Sequence, residues 1–232
     1  MLRIFLALLL CCTSLDAATK KSKKPQTPAK KKAIVPTPRD NSGDDTAPAR
    51  TASNVTLQPS EILGFENQPR AVQALLLKAL ALTQRGLTYR YGSDDPESGG
   101  MDCSGTVSYL LKSSGIANVP RDSSGLYLWA QSARTLHRVN VTTLYDPTMA
   151  ALRAGDLLFW EGTYDILRDP PTSHVMFFLG IEKATGAPVM IGASDGRSYH
   201  GTRRNGVSVF DFKLPSASST ARFVGYARVP GI

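Results

Sequence analysis

The order of patterns along this 232-residue chain predicts an α+β fold, with N-terminal helices packed on an antiparallel β-sheet. Three observations carry that prediction. Between residues 69 and 133 the apolar side chains recur at helical spacing. Beyond residue 155 the texture changes to short apolar or alternating runs divided by turn residues, which read as strands. The hydrophobic content of 42% is ordinary for a globular chain, so one domain with extensions can bury a core. There is no internal repeat and no glycine-rich phosphate loop before a helix.

Residues 1–18 have the features of an export signal: Arg3, an apolar run from Ile4 to Cys12, and a small-residue region ending at Ala17-Ala18. The run is too short to span a bilayer, which takes about 20 apolar residues. Cys11 and Cys12 lack the small neighbours expected before a lipid-attachment cysteine. Residues 19–58 are built from Lys, Pro, Ala, Thr and Ser with few large apolar groups, the composition of a disordered linker. Residues 19–50 carry nine Lys or Arg against three Asp, so they hold +6 of the net +8, while residues 1–18 cancel and residues 51–232 keep +2. The basic character belongs to the tail. Behind an export signal, its partner is expected to be an anionic envelope surface rather than nucleic acid, and a solvated spacer is the plainer alternative.

The folded domain is expected over residues 59–232. Pro69 to Arg85 places Ala71, Val72, Leu75, Leu76, Ala79, Leu80 and Leu82 on a helical stripe, and Gly86 stops it. A Gly-, Asp- and Pro-rich loop follows from Tyr89 to Gly105 and runs into a second helix that ends near Gly115. Asp122 or Ser123 caps a third helix reaching Ala133. Strands are read at residues 155–160, 173–181, 188–193, 206–212 and 222–229.

Cys103 stands where the loop meets the second helix. Unpaired N–H groups and the positive end of the helix dipole favour thiolate there, and thiolate is the nucleophilic form. Removal of the signal would leave Cys103 as the one cysteine of the chain, unable to form an internal disulfide and unable to join a cysteine metal cluster. The bland alternative is a buried structural cysteine. A thiol nucleophile needs a base, and His is the usual one. The chain offers His137 at a polar junction, His174 at the head of a core strand, and His200 in a loop. His174 is best placed, with a satisfied strand-end His as the alternative reading.

Five pieces in order carry a resemblance: Tyr89-Arg90-Tyr91-Gly92, Asp102-Cys103-Ser104-Gly105, Pro120-Arg121-Asp122-Ser123, Gly155-Asp156-Leu157-Leu158-Phe159, and His174 through Gly180. Together they resemble the NlpC-type cell-wall endopeptidases, papain-like cysteine hydrolases of bacterial peptidoglycan, over about residue 70 to the C-terminus. The resemblance implies a papain-like domain that cleaves stem peptides, commonly between D-γ-glutamyl and a diamino acid. Carried over by position, it makes Cys103 the nucleophile, His174 the base, and Tyr89, Asp102 and Ser104 substrate-binding. Plainer roles stay open for Tyr89, as a core aromatic, and for Asp102, as a helix cap.

The chain departs from the family at the orienting third residue, which is usually His. That position falls on Gly192, which has no side chain to hold an imidazole, leaving a backbone carbonyl, Ser194, Asp195 or His200 as candidates. The segment from Glu161 to Thr172 is longer than usual, and Pro170-Pro171 suggests an ordered rim of the groove. The expected function is a secreted or periplasmic cysteine endopeptidase acting on peptidoglycan. The alternatives are a catalytically weak peptidoglycan-binding module, favoured by Gly192, and a thiol amidase or transferase on another envelope substrate. No metal, no organic cofactor and a monomeric state are expected.

Overall fold

The computed structural model describes residues 51–232. The expected signal segment and most of the basic tail lie outside the described residues. Three α-helices come first among these: α1 (Arg70–Thr83), α2 (Cys103–Ser113) and α3 (Ser123–Ser132). Short strands β1 (Thr88–Tyr89) and β2 (Gly100–Met101) pair between α1 and α2, and β3 (Leu136–Arg138) follows α3. The rest is strand: β4 (Leu157–Glu161), β5 (Thr172–Ile181), β6 (Pro188–Ser194), β7 (Ser198–Tyr199), β8 (Thr202–Arg203), β9 (Gly206–Asp211) and β10 (Arg222–Ala227). Six of them form one antiparallel sheet in the order β3-β10-β4-β5-β6-β9. Helices on an antiparallel sheet are the α+β architecture that the sequence pattern predicts.

Both faces of the central strands are buried, so β5 reads as a continuous apolar run rather than an alternation. On one face Val175, Phe177, Ile191 and Val209 meet Leu75 and Leu76 of α1, Val107 and Leu111 of α2, and Leu126 of α3. On the other, Trp160, Met176, Met190 and Phe210 meet Phe212, Phe223 and Tyr226, under a cover of Val141, Leu144 and Met149. Alternation along β5 puts His174 on the same side as Met176 and Phe178. The N-terminal end of β5 is pinned to α3, since the hydroxyls of Ser123 and Ser124 both donate to the Thr172 carbonyl, at 2.6 and 3.1 Å.

Two helix starts follow the expected cap chemistry. Asp102 caps α2 by accepting from Gly105 N–H, and Asp122 caps α3 by accepting from Gly125 N–H. The boundary drawn at residue 59 is too late. Ser53 N–H donates to the Asn205 carbonyl, Asn54 bridges the carbonyls of Leu87 and Val207, and the Val55 carbonyl accepts from Val209 N–H. These bonds run along β9, the outer strand of the sheet, and Leu57 is buried behind them. Backbone pairing needs no apolar stripe, so composition alone read this stretch as linker. His137 lies in β3, its ring stacked on Tyr226 at 4.9 Å. Among the described residues no helix is long and apolar enough to cross a membrane.

Candidate active site

The loop before α2 is drawn tight over the helix start. Gly105 lies so close beneath it that an added Cβ would sit 2.2 Å from the Ser93 carbonyl oxygen. Asp102 is the knot of this half of the site. Its Oδ1 accepts from Gly105 N–H at 2.6 Å, Ser104 Oγ at 3.2 Å and Arg121 Nη1 at 3.1 Å. Its Oδ2 accepts from Gly92 N–H at 2.8 Å and Arg121 Nη2 at 2.9 Å. Ser104 Oγ in turn accepts from Arg121 Nη1 at 3.1 Å. Asp102 and Ser104, both expected to meet substrate, are therefore committed to Arg121 and to the helix cap. Arg121 comes from the Pro120-Arg121-Asp122-Ser123 piece, whose partner the sequence does not name.

Cys103 is the first residue of α2, and only 4% of its surface is exposed. Its thiol takes backbone N–H groups from Ser104 and from Val175, which sets the sulfur against β5 one residue beyond His174. The helix start was expected to depress the thiol pKa. Burial reverses this: loss of water, reinforced by the Asp102 charge, pushes Cys103 up to about 11 against the backbone N–H groups and Arg121. Tyr89, on β1, lies within the electrostatic reach of Cys103, Asp102 and Asp195, and burial raises its phenol. Tyr89 is thus both near Cys103 and packed against the core.

His174 is 7% exposed at the head of β5 and has its ring 5.6 Å from that of Trp160. Burial, with the neighbouring Arg197 cation adding to it, holds its pKa well below the usual imidazole range. Arg197 Nε donates to His174 Nε2 at 3.3 Å. The guanidinium lies over Trp160, its Cζ 4.1 Å from the ring centroid.

Arg197, which contacts the His174 ring, is not among the sequence candidates for the third residue. Gly192 lies on β6, and a Cβ there would meet Met176 Cγ at 3.0 Å, so the methionine occupies the space beside it. Ser194 accepts at Oγ from the N–H groups of Gly196 and Arg197, both at 3.3 Å, and so shapes the turn that presents Arg197. The Asp195 carbonyl is held by Arg203. His200 is turned elsewhere, with Nε2 2.8 Å from Glu182 Oε2 and its ring stacked on Tyr199. Arg197 was missed because nothing in a polar turn marks one Arg as facing the core.

The long segment after β4 forms the rim. Thr163 N–H donates to Ser173 Oγ at 3.0 Å, and Arg168 pairs with Asp122 at 2.8 Å. The Asp169-Pro170 peptide is cis. Tyr164, edge-on to Tyr91 at 6.0 Å, lies within electrostatic reach of Cys103. The sequence flagged this loop by its length and prolines but not by Tyr164.

A cysteine at a helix start, set against a sheet whose strand carries a buried histidine, is the arrangement of papain-like cysteine hydrolases. The model of the NlpC/P60 family matches residues 86–211, more than half of the chain, and the chain belongs to that family. A Staphylococcus aureus protein described as similar to a lipoprotein of the NLP/P60 family is 21% identical, with a TM-score of 0.41. The match covers 76% of this chain and 44% of the Staphylococcus aureus chain, so this chain spans less than half the length of that protein. No curated protein matches the chain.

Proposed function

We propose that this chain is an exported cysteine endopeptidase that hydrolyses amide bonds in peptidoglycan stem peptides. The observation that carries the proposal is the pairing of Cys103, first in α2, with the end of β5 that bears His174, inside the segment matched by the family model. In this reading Cys103 Sγ attacks the scissile carbonyl and its proton passes to His174. The tetrahedral oxyanion is met by N–H groups at the start of α2. The amine leaves with the proton from His174, and water then hydrolyses the thioester, returning the thiol. The bond is expected to be the D-γ-glutamyl–diamino acid amide, with Tyr89 lining the groove. The basic tail is assigned to an anionic envelope surface.

A second reading, a catalytically weak peptidoglycan-binding module, is favoured by one observation: the thiol is held high and the imidazole low, so the resting pair is not an ion pair. Digestion of purified peptidoglycan by the full chain, beside Cys103→Ala, separates the two. New stem-peptide fragments in the mass spectrum, absent with Cys103→Ala, are expected. Binding to the wall without fragments would leave the module.

A further inference from the structure

A neutral imidazole has one ring nitrogen that donates and one that accepts. A guanidinium has donors and no acceptor. The bond from Arg197 Nε to His174 Nε2 therefore uses the ring's acceptor and places the ring proton on Nδ1. A ring in that state has no lone pair left to take a proton from the thiol. Protonating it would set two donors and two positive charges against each other across 3.3 Å.

Arg197 is not a stray surface side chain. Its N–H is accepted by Ser194 Oγ at 3.3 Å, and its carbonyl accepts from Arg204 N–H at 2.9 Å. Its guanidinium rests on Trp160 at 4.1 Å from the ring centroid, and Met176 fills the space beside Gly192. The residue is fixed at backbone and head alike.

We infer that Arg197 is a positioning residue that holds His174 in a base-incompetent tautomer, so that Cys103 stays a thiol until the guanidinium is drawn away from the ring. The inference rests on the proposed reading of Cys103 and His174 as nucleophile and base. Guanidinium binds carboxylates through two parallel N–H bonds, so a carboxylate entering the groove is the kind of group that can draw it off. Burial pulls the Arg197 pKa down to about 10, which still leaves it a cation at neutral pH.

The other charged or titratable groups around sulfur and ring are Asp102 at the start of α2, Arg121 before α3, Tyr89 on β1, Tyr164 after β4, and Asp195 after β6. Simple electrostatics gives the opposite sign for removal of Arg197. Loss of a cation near a thiolate disfavours the thiolate, whereas loss of the donor block favours it. The two accounts separate in one experiment.

The experiment labels the full chain with iodoacetamide from pH 6 to pH 10, assigning the label to Cys103 by peptide mapping, for wild type, Arg197→Gln and Arg197→Lys. Wild type is expected to label appreciably only toward pH 9 and above. Arg197→Gln, whose amide oxygen can accept from the ring, is expected to label about tenfold faster at pH 7, one unit of thiol pKa. Arg197→Lys, still a cationic donor, is expected to stay near wild type. Equal or slower labelling of Arg197→Gln overturns the inference. If that variant does not fold, nitrogen-15 NMR of His174 in the unaltered chain decides: a neutral Nδ1–H ring is expected, and an Nε2–H ring or an imidazolium at pH 7 overturns it. Neither readout uses peptidoglycan, so failure here is distinguishable from failure of the digestion.

Discussion

Asp102 accepts five hydrogen bonds from four residues around Cys103, while the His174 ring takes a bond of 3.3 Å from Arg197. The first network closes locally, inside one loop and helix start, with Arg121 as its long-range member. The second spans 23 positions and relies on a turn residue leaning on Trp160. A saturated network of charged hydrogen bonds has no low-cost alternative arrangement. A contact between one guanidinium and a neutral ring is more readily exchanged. The bonding is thus densest around Cys103 and sparser at the ring where the proposed mechanism moves a proton.

Two glycines test that contrast most sharply. Gly105→Ala drives a methyl into the Ser93 backbone, which cannot move without opening the loop, and about 3 kcal/mol of stability should be lost in urea denaturation. Gly192→Ala presses on Met176 Cγ at 3.0 Å and Cβ at 3.4 Å, a milder approach than the 2.2 Å at Gly105, and should cost about 1 kcal/mol. Similar losses at both sites would erase the distinction.

Asp102→Ala sharpens it further. It removes a helix cap and leaves the Arg121 guanidinium without its bidentate partner, at a cost of about 2–3 kcal/mol read from the thermal midpoint. A loss under about 1 kcal/mol would show that the network is not what holds the helix start.

At His174 the handle is pH. The folded-state pKa of His174 is depressed, so its neutral ring contributes stability that is complete above about pH 6.5 and is lost as pH falls through the folded value. The stability gap between wild type and His174→Gln should therefore shift against wild type on acidification from pH 6.5 to 5, by up to about 1.4 kcal/mol per unit. Parallel pH curves would contradict the buried neutral ring. The smallest effect belongs to the rim. Arg168→Ala breaks an ion pair with both partners more than a third exposed, and should cost at most about 1 kcal/mol by urea denaturation.

The same contrast explains what the sequence made legible. Leu75, Leu76, Ala79 and Leu80 announce α1 because a helical stripe is a local pattern. Asp102 and Cys103 announce the start of α2 because capping and a loop-to-helix junction are local as well. His174 was legible from its place at the head of an apolar strand. Arg197 was not, because its meaning depends on β5 and β6 lying side by side, with Ser194 shaping the turn. The high thiol pKa was equally hidden, since the helix start is visible in the sequence and the burial that outweighs it is not. Residues 51–58 escaped because they join the sheet through backbone groups and small polar side chains such as Ser53 and Asn54, which composition reads as linker.

The central claim is that Cys103 becomes acylated by a wall peptide. Rapid-quench intact-mass spectrometry of the full chain mixed with soluble stem-peptide fragments tests it directly. The account predicts a transient adduct of one acyl fragment, mapped to Cys103, that decays as cleaved product accumulates and is absent from Cys103→Ala, whose turnover falls on the order of 10⁴-fold. Cleavage that persists in Cys103→Ala, or product that accumulates with no label ever reaching Cys103, would contradict it.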